Sequence, residues 1–211
     1  MKKTLLAALV VMGTTAAAAT VTPTATAAGD GPDRLICDNT KGDPYTGRYA
    51  SVRVPKGASC YLDGAVVLGN LNALHQPVDV YVINTRVDRN IHVRGAQRDV
   101  KIGPADCEFD PEVGNNIFVT RSHNVAICYE TVAADIRVTR NDGRIIVRDS
   151  HAGSNIKVND NLPYDRQPGD GVHPDIEAIR LRDNTADRHI VVKRNHGRPL
   201  IMSNNTPTPI T

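Results

Sequence analysis

The sequence contains no tryptophan, and aromatic residues make up only 4% of its 211 residues. That content is too small for a large aromatic-rich core, and it disfavours a sugar-binding site built on stacked aromatic platforms. Neither charge is in clear excess, because 25 Lys+Arg stand against 23 Asp+Glu, and 25 − 2 = 23 once Lys2 and Lys3 are set aside. This balance argues against nucleic-acid binding, which typically needs a strongly basic domain.

No window of the sequence is apolar enough to cross a bilayer as a helix, which takes about 20 residues. The one apolar run, at residues 5–12, follows a cationic start and passes into small residues that include A-T-A at 25–27. This order is typical of a secretory signal peptide, and we predict one over residues 1–28. The mature protein is therefore expected to be secreted and extracellular, without a membrane span; a buried N-terminal helix is the alternative.

Signatures of catalysis are also missing from the sequence. It has no G-x-S-x-G, no H-E-x-x-H and no phosphate-binding glycine loop. It has no C-x-x-C and no tight Cys/His cluster, so we predict neither a metal nor a cofactor.

The sequence does contain a repeat: an aliphatic residue, any residue, a second aliphatic residue, two polar residues, then Asn or Ser. Two apolar side chains with a period of two form the buried face of a short strand, and the final Asn or Ser bends the chain. So short a strand needs similar strands above and below to bury its apolar face. Seven copies begin at Ile117, Ile136, Ile145, Ile156, Ile179, Ile190 and Leu200.

The spacing of the repeat predicts the fold. Alternate copies start 19 or 20 residues apart, as from Ile117 to Ile136, which indicates a coil of about 20 residues with two recognisable strands and a third, irregular side. Parallel crossovers favour the right-handed form. We predict an all-β, single-domain right-handed parallel β-helix (β-solenoid) of about seven coils over 49–205, with an N-terminal cap segment at 29–48 and a flexible tail at 206–211. A β-sandwich is the alternative, since it also has short strands and frequent turns.

The repeated N-I-x-V-x-x-N units resemble exported right-handed parallel β-helix repeat proteins. The stretch 54–71 (VPKGASCYLDGAVVLGNL) is similar to the opening coils of such bacterial proteins. The resemblance spans residues 50–205 and implies the fold but no single function, because this fold carries polysaccharide lyases, hydrolases, adhesins and scaffolds. An Asn stands just before the strand at Asn90, Asn116, Asn124 and Asn155.

The four cysteines fit the period of the repeat. Cys37 and Cys60 are 23 residues apart, and Cys107 and Cys128 are 21 apart. Residues one coil apart lie above one another, within the Cα range of a disulfide, and an exported chain is expected to form disulfides. We therefore predict the bridges Cys37–Cys60 and Cys107–Cys128.

Outward-facing cations are the candidate ligand-binding residues. We interpret the strands at Ile156 and Ile179 as neighbours in one column, which stacks three cations one coil apart. These are Arg137, Lys157 and Arg180. Stacked like charges are unfavourable unless an anion matches them, so the ladder predicts contact with an anionic cell-wall or extracellular polysaccharide. The alternative is a solvated face whose charge is offset by Asp160 and Asp183.

The segment 162–177 (LPYDRQPGDGVHPDIE) interrupts the repeat where one strand motif is missing. Carboxylates and a histidine in such a loop could act as acid and base on a glycosidic bond; a solvated turn is the alternative. The candidate catalytic residues are Asp165, Asp170, His173, Asp175 and Glu177.

These features favour a non-catalytic secreted β-helix scaffold, not an enzyme, that contacts an anionic polysaccharide. The alternative is a small polysaccharide lyase or glycoside hydrolase that uses the carboxylates of the 162–177 loop. Its weakness is length, since catalytic β-helices usually carry more coils and longer loops. A third hypothesis is a protein that assembles end to end, and the oligomeric state stays open.

Overall fold

The computed structural model describes residues 32–104, 111–162, 178–196, 199–207 and 210. Within these residues the chain forms strands and no helix, and therefore no helix that could cross a membrane. Every strand pairing is parallel. The prediction of a parallel β-helix is confirmed, and the β-sandwich alternative is wrong because the sheets of a sandwich are antiparallel.

The strands are short and follow one another along the whole described chain. In chain order they are β1 (Arg34–Ile36), β2 (Tyr45–Tyr49), β3 (Ser51–Arg53), β4 (Cys60–Val67), β5 (Leu71–Ala73), β6 (Val80–Ile83), β7 (Arg86–Val87), β8 (Ile91–Arg94), β9 (Asp99–Ile102), β10 (Glu112–Val113), β11 (Ile117–Thr120), β12 (Asn124–Cys128), β13 (Thr131–Val132), β14 (Ile136–Thr139), β15 (Ile145–Arg148), β16 (His151–Ala152), β17 (Asn155–Asn159), β18 (Ile179–Arg182), β19 (Thr185–Ala186), β20 (His189–Lys193) and β21 (Leu200–Met202).

The strands stack into three sides. Side A is an eight-stranded sheet in the order β1, β3, β5, β8, β11, β14, β17 and β20. Side B runs through β4, β6, β9, β12, β15, β18 and β21, and side C holds the two-residue strands β7, β10, β13, β16 and β19. The long strand β4 joins sides B and C, because its first half pairs with β6 and its second half with β7. Side C is the third, irregular side that the spacing predicts.

One core runs along the axis of the helix. From β5 to β20, the first aliphatic residue of each strand on side A stacks on its counterpart in the next coil, and each is at most 1% exposed. Burial of such a side chain is worth roughly 1.5–3 kcal/mol, so the repeated aliphatic positions supply the main stabilisation. The column consists of Leu71, Ile91, Ile117, Ile136, Ile156 and Ile190.

The final Asn or Ser of each repeat on side A forms a ladder inside the corner between sides A and B. The Oδ1 atom of Asn161 accepts hydrogen bonds from the backbone N–H of Asn141 at 2.9 Å and from its side-chain amide at 3.0 Å. The Asn161 amide in turn donates to Asn195 Oδ1 at 2.9 Å and to the Val138 carbonyl at 3.1 Å. Asn161 is fully buried. The ladder therefore satisfies buried backbone groups that the bend removes from the sheet.

The 162–177 segment lengthens the sequence spacing between two neighbouring coils. Paired residues of neighbouring coils are usually 19 or 20 positions apart, but across the 162–177 segment they are 34 apart. Ile179 consequently pairs with Ile145 on side B, and Ile190 pairs with Ile156 on side A. The interpretation that Ile179 follows Ile156 in one column is wrong, because Ile179 begins a strand of side B and the column of Ile156 continues at Ile190.

One of the two predicted disulfides lies within the described residues. Cys37 and Cys60 are bonded, with a Cα–Cα distance of 5.2 Å and a sequence separation of 23, which confirms that prediction. Closing a loop of this size is worth about 3 kcal/mol in the chain-entropy model. Cys107 lies outside the described residues, so the Cys107–Cys128 bridge stays a prediction. At the other end of the helix, Ile210 packs against the core.

The Asn ladder yields a stability prediction. Replacing Asn161 with Ala leaves the buried N–H of Asn141 without its acceptor, and an unsatisfied buried group costs about 1–3 kcal/mol. We expect Asn161→Ala to lower the free energy of unfolding by at least about 2 kcal/mol in urea titrations. Gln97→Ala is the matched control, since Gln97 is exposed and should shift stability by less than about 0.5 kcal/mol. Equal effects of the two changes would contradict the structural role of the ladder.

Gly153 yields a second prediction, on the packing between coils. A Cβ atom at Gly153 would lie too close to the backbone carbonyl oxygen of Ala133, whereas one at Gly42 would meet nothing within 4 Å. Forced overpacking costs roughly 1–3 kcal/mol, so Gly153→Ala should lower the melting temperature by several degrees. Gly42→Ala should leave the melting temperature unchanged or slightly higher. A Gly153→Ala protein as stable as the wild type would show that the coils can separate at no cost.

Candidate anion-binding face

The outer surface of side A carries one continuous row of side chains. Strand pairing aligns the second residue of successive repeats, one per coil, roughly 4.8 Å apart. Arg137 and Lys157 are adjacent in this row, as predicted. The row consists of Arg53, Asn72, His92, Phe118, Arg137, Lys157 and Val191.

Arg180 does not belong to this row. Arg180 pairs with Ile146 on side B. The position next to Lys157, which the sequence analysis assigned to Arg180, is occupied by Val191. The predicted three-cation ladder is therefore wrong in its third member. The physical reason is that the additional residues of the 162–177 segment lie between sides A and B of one coil in sequence, so the next described strand belongs to side B.

Arg137 is held in a defined orientation by two neighbours. Its guanidinium contacts Oδ2 of Asp135 through Nη2 at 2.6 Å and Nε at 3.2 Å. The same group lies over the ring of Phe118, with 5.4 Å from Cζ to the ring centroid. A charge-assisted hydrogen bond and a cation–π contact restrict the guanidinium together, while 45% of the side chain stays accessible to solvent.

Asp135 occupies an Asn position in a second ladder, at the corner between sides C and A. Its Oδ1 atom accepts hydrogen bonds from the N–H of Asn155 at 3.1 Å and from its amide at 2.8 Å. Burial alone would raise the pKa of Asp135. The hydrogen bonds from Asn155 and Arg137 and the charges of Arg137 and Lys157 outweigh burial, so the pKa is lowered. Asp135 is thus a carboxylate that partly offsets two cations.

Two Asp residues were expected to offset the charge of the cation ladder, but both form ion pairs with other cations. Asp160 binds Arg194 at 2.6 Å, and Asp183 binds Arg182 at 2.6 Å. Among the described ion pairs, Asp135 is the only carboxylate that pairs with a cation of the row. The row therefore keeps a net positive charge.

Aromatic side chains meet on two sides of the helix despite their small number. His92 and Phe118 lie in register on side A with ring centroids 5.2 Å apart, and burial lowers the pKa of His92. Tyr61 and Tyr81 stack on side B at 4.8 Å. Burial and the nearby Asp99 carboxylate raise the pKa of Tyr81 to about 12. The amino-acid composition could not predict either aromatic pair, because it carries no information on which coils bring aromatic residues together.

A second row on side A is polar and flanked by cations. It lies two residues further along each strand, next to the corner with side B, and its members have partly exposed or exposed side chains. Hydroxyl and amide groups in the middle of this row can donate and accept hydrogen bonds. The row consists of Arg94, Thr120, Thr139, Asn159 and Lys193.

The candidate catalytic residues lie outside the described residues. They are Asp165, Asp170, His173, Asp175 and Glu177, and their roles stay predictions. Within the described part of the chain, no group of three or more His, Cys, Asp or Glu side chains could hold a metal ion.

Comparison with known proteins adds no relative to these observations. No family model matches the chain. No curated protein sequence and no solved structure matches it either. The fold class and the cationic row on side A are therefore the basis for any proposal on function.

The position of Asp135 predicts a dependence of stability on pH. A carboxyl group with a lowered pKa stabilises the folded state above its unfolded pKa, and this contribution disappears as the pH falls through the folded pKa. Asp135→Asn should keep the ladder, since Asn occupies the neighbouring positions, while removing the ion pair with Arg137. We expect unfolding in urea to show a smaller loss of stability below about pH 4 than the wild type shows.

Asp135→Ala is the control for this change. It removes both the ladder contact and the ion pair, so it should destabilise the protein at pH 7 more than Asp135→Asn does. An unchanged acid dependence in Asp135→Asn would show that other carboxyl groups account for it.

Proposed function

We propose that this protein is a secreted, non-catalytic β-helix scaffold that binds an acidic polysaccharide along the outer face of side A. The observation that carries the proposal is the alignment of Arg137 and Lys157 on adjacent strands. Two unscreened cations at one-strand spacing repel each other, and an anionic ligand would remove that cost. Asp135 offsets only part of the charge.

The shape and chemistry of side A support a polymer as the ligand. The face is a stack of eight parallel strands, about 34 Å long for seven steps of about 4.8 Å. The rise of one strand is comparable to the length of one sugar unit in an extended polysaccharide. Phe118 offers an apolar ring for the face of a sugar, and the Thr and Asn side chains of the second row offer hydrogen bonds to hydroxyl groups.

Two observations support export. The N-terminal sequence has the order of a secretory signal peptide. The Cys37–Cys60 disulfide is compatible with an oxidising compartment outside the cytoplasm. The resemblance of the repeats to exported β-helix proteins agrees with this proposal.

Co-sedimentation tests the proposed binding. The mature protein is mixed with isolated cell walls and with insoluble acidic polysaccharides at low and high salt, and the supernatant is assayed for released sugar. We expect the wild type to pellet at low salt, to pellet less at high salt because ions screen exposed charges, and to release no sugar. The double variant Arg137→Gln/Lys157→Gln should pellet about tenfold less, since it removes two charge contacts of up to about 1 kcal/mol each.

Arg180→Gln is the matched control, because it removes a cation from side B and leaves the row on side A intact. It should pellet like the wild type, and melting curves should show that all variants are folded. Equal losses in the Arg137/Lys157 and Arg180 variants would contradict a site on side A. Sugar release would overturn the non-catalytic assignment and favour the polysaccharide-cleaving alternative.

A further inference from the structure

The corner between sides A and B has unusual residues at its bend. In each coil from β5 to β20 the bend residue has a positive φ, and at three of these six positions it is arginine. The residues are Gln76 (φ 51), Gly95 (φ 73), Arg121 (φ 53), Arg140 (φ 58), Asp160 (φ 56) and Arg194 (φ 53). A long side chain is uncommon in the left-handed region, where Gly, Asn and Asp are favoured.

The corner between sides B and C shows that the bend itself does not need arginine. From β6 onward its bend residues also have positive φ values and include no Arg or Lys. They are Asn84 (φ 47), Gly103 (φ 123), Tyr129 (φ 54), Asp149 (φ 51), Asp183 (φ 54) and Ser203 (φ 51). The arginines of the first corner therefore carry a strain that the fold does not require, and such strain points to a role outside folding.

Folding contacts do not account for two of these arginines. Arg121 and Arg140 are exposed, and neither guanidinium takes part in an ion pair within the described part of the chain. Their backbones bond the coil above, with Arg121 N–H donating to the Thr139 carbonyl at 3.3 Å and Arg140 N–H to the Asn159 carbonyl at 3.2 Å. The bend geometry thus points the two residues outward on adjacent coils.

The arginine corner borders the polar row of side A. Taken with that row and the row through Arg137, it supplies at least one cation at each of five successive coils. From β8 to β20 these are Arg94, Arg121, Arg137 with Arg140, Lys157, and Lys193 with Arg194. Two of these cations are paired with carboxylates: Arg137 with Asp135, and Arg194 with Asp160.

We infer that the arginine corner is a second binding element for the same polymer, and that the polymer is a linear polyuronate with one carboxylate on every sugar. The polymer would lie parallel to the helix axis, between the corner and the row of Arg137 and Lys157. The cations lie on successive coils, and each coil rises roughly 4.8 Å along the axis. Each coil can therefore meet one carboxylate of a polymer that has one carboxylate per sugar unit. This inference rests on the proposed function, because it names the ligand class and the further residues of that face.

The test uses defined oligogalacturonates and calorimetric titration of the full mature chain. Affinity should rise with oligomer length up to about five units, the number of coils that carry a cation. The variant Arg121→Asn/Arg140→Asn should melt at a higher temperature than the wild type, because Asn tolerates the left-handed region. Its dissociation constant for the pentamer should be about tenfold higher, since two charge contacts are lost. Arg121→Gly/Arg140→Gly should show the same loss of binding.

Two controls isolate the cause. Gln76→Asn relieves the same backbone strain at the same corner and should leave the dissociation constant unchanged. Arg48→Gln removes an exposed cation from β2, on the other side of the helix, and should also leave it unchanged.

The outcomes separate this inference from the proposed function. If the corner variants bind the pentamer like the wild type while Arg137→Gln/Lys157→Gln binds it poorly, the arginine corner is not part of the site, and the proposed face remains. If the wild type pellets with acidic polysaccharides but binds no oligogalacturonate, the polyuronate assignment is wrong. Single-stranded DNA or heparin that competes as well as the pentamer at equal charge would also overturn the polyuronate class.

Discussion

The structure depends on satisfying the backbone hydrogen bonds at each corner of a coil. The strands are two to eight residues long, so each coil bends several times, and the backbone groups at the bends leave the sheets. Asn and Ser side chains such as Asn161 are buried at these bends. The amide of Asn161 solves this by accepting from the coil below and donating to the coil above. Because each amide serves two coils, the ladder fixes the register of the stack as well as the bend.

That register determines which surface the protein presents. Once the aliphatic positions face inward, the residue between them faces solvent, and its neighbours are the equivalent residues of the next coils. Arg137 and Lys157 thus become adjacent although they are distant in sequence. Asp135 replaces an amide in the corner ladder and at the same time orients Arg137, so one substitution within a structural repeat also shapes the candidate site.

The parts of the fold that follow from local periodicity could be predicted. Alternation of aliphatic residues and the turn residues after them depend on short stretches of chain, and the 19 to 20 residue period repeats often enough to be counted. Cys37 and Cys60 are confirmed as a pair because their separation of 23 is close to that period. The candidate site was predicted only in part, since Arg137 and Lys157 share a row whereas Arg180 lies on another side.

The sequence by itself determined the period, the inward face and the stacking of coils, because each depends on residue types that recur at short spacing. Only the tertiary structure decided which cations share a surface. A separation of 23 residues between Ile156 and Ile179 resembles one coil, but it spans an insertion and one side of the helix. The positive φ of Arg121 and Arg140 was also decided only by the tertiary structure. The conformation of a bend is set by the coils that hold it and not by the identity of the residue alone.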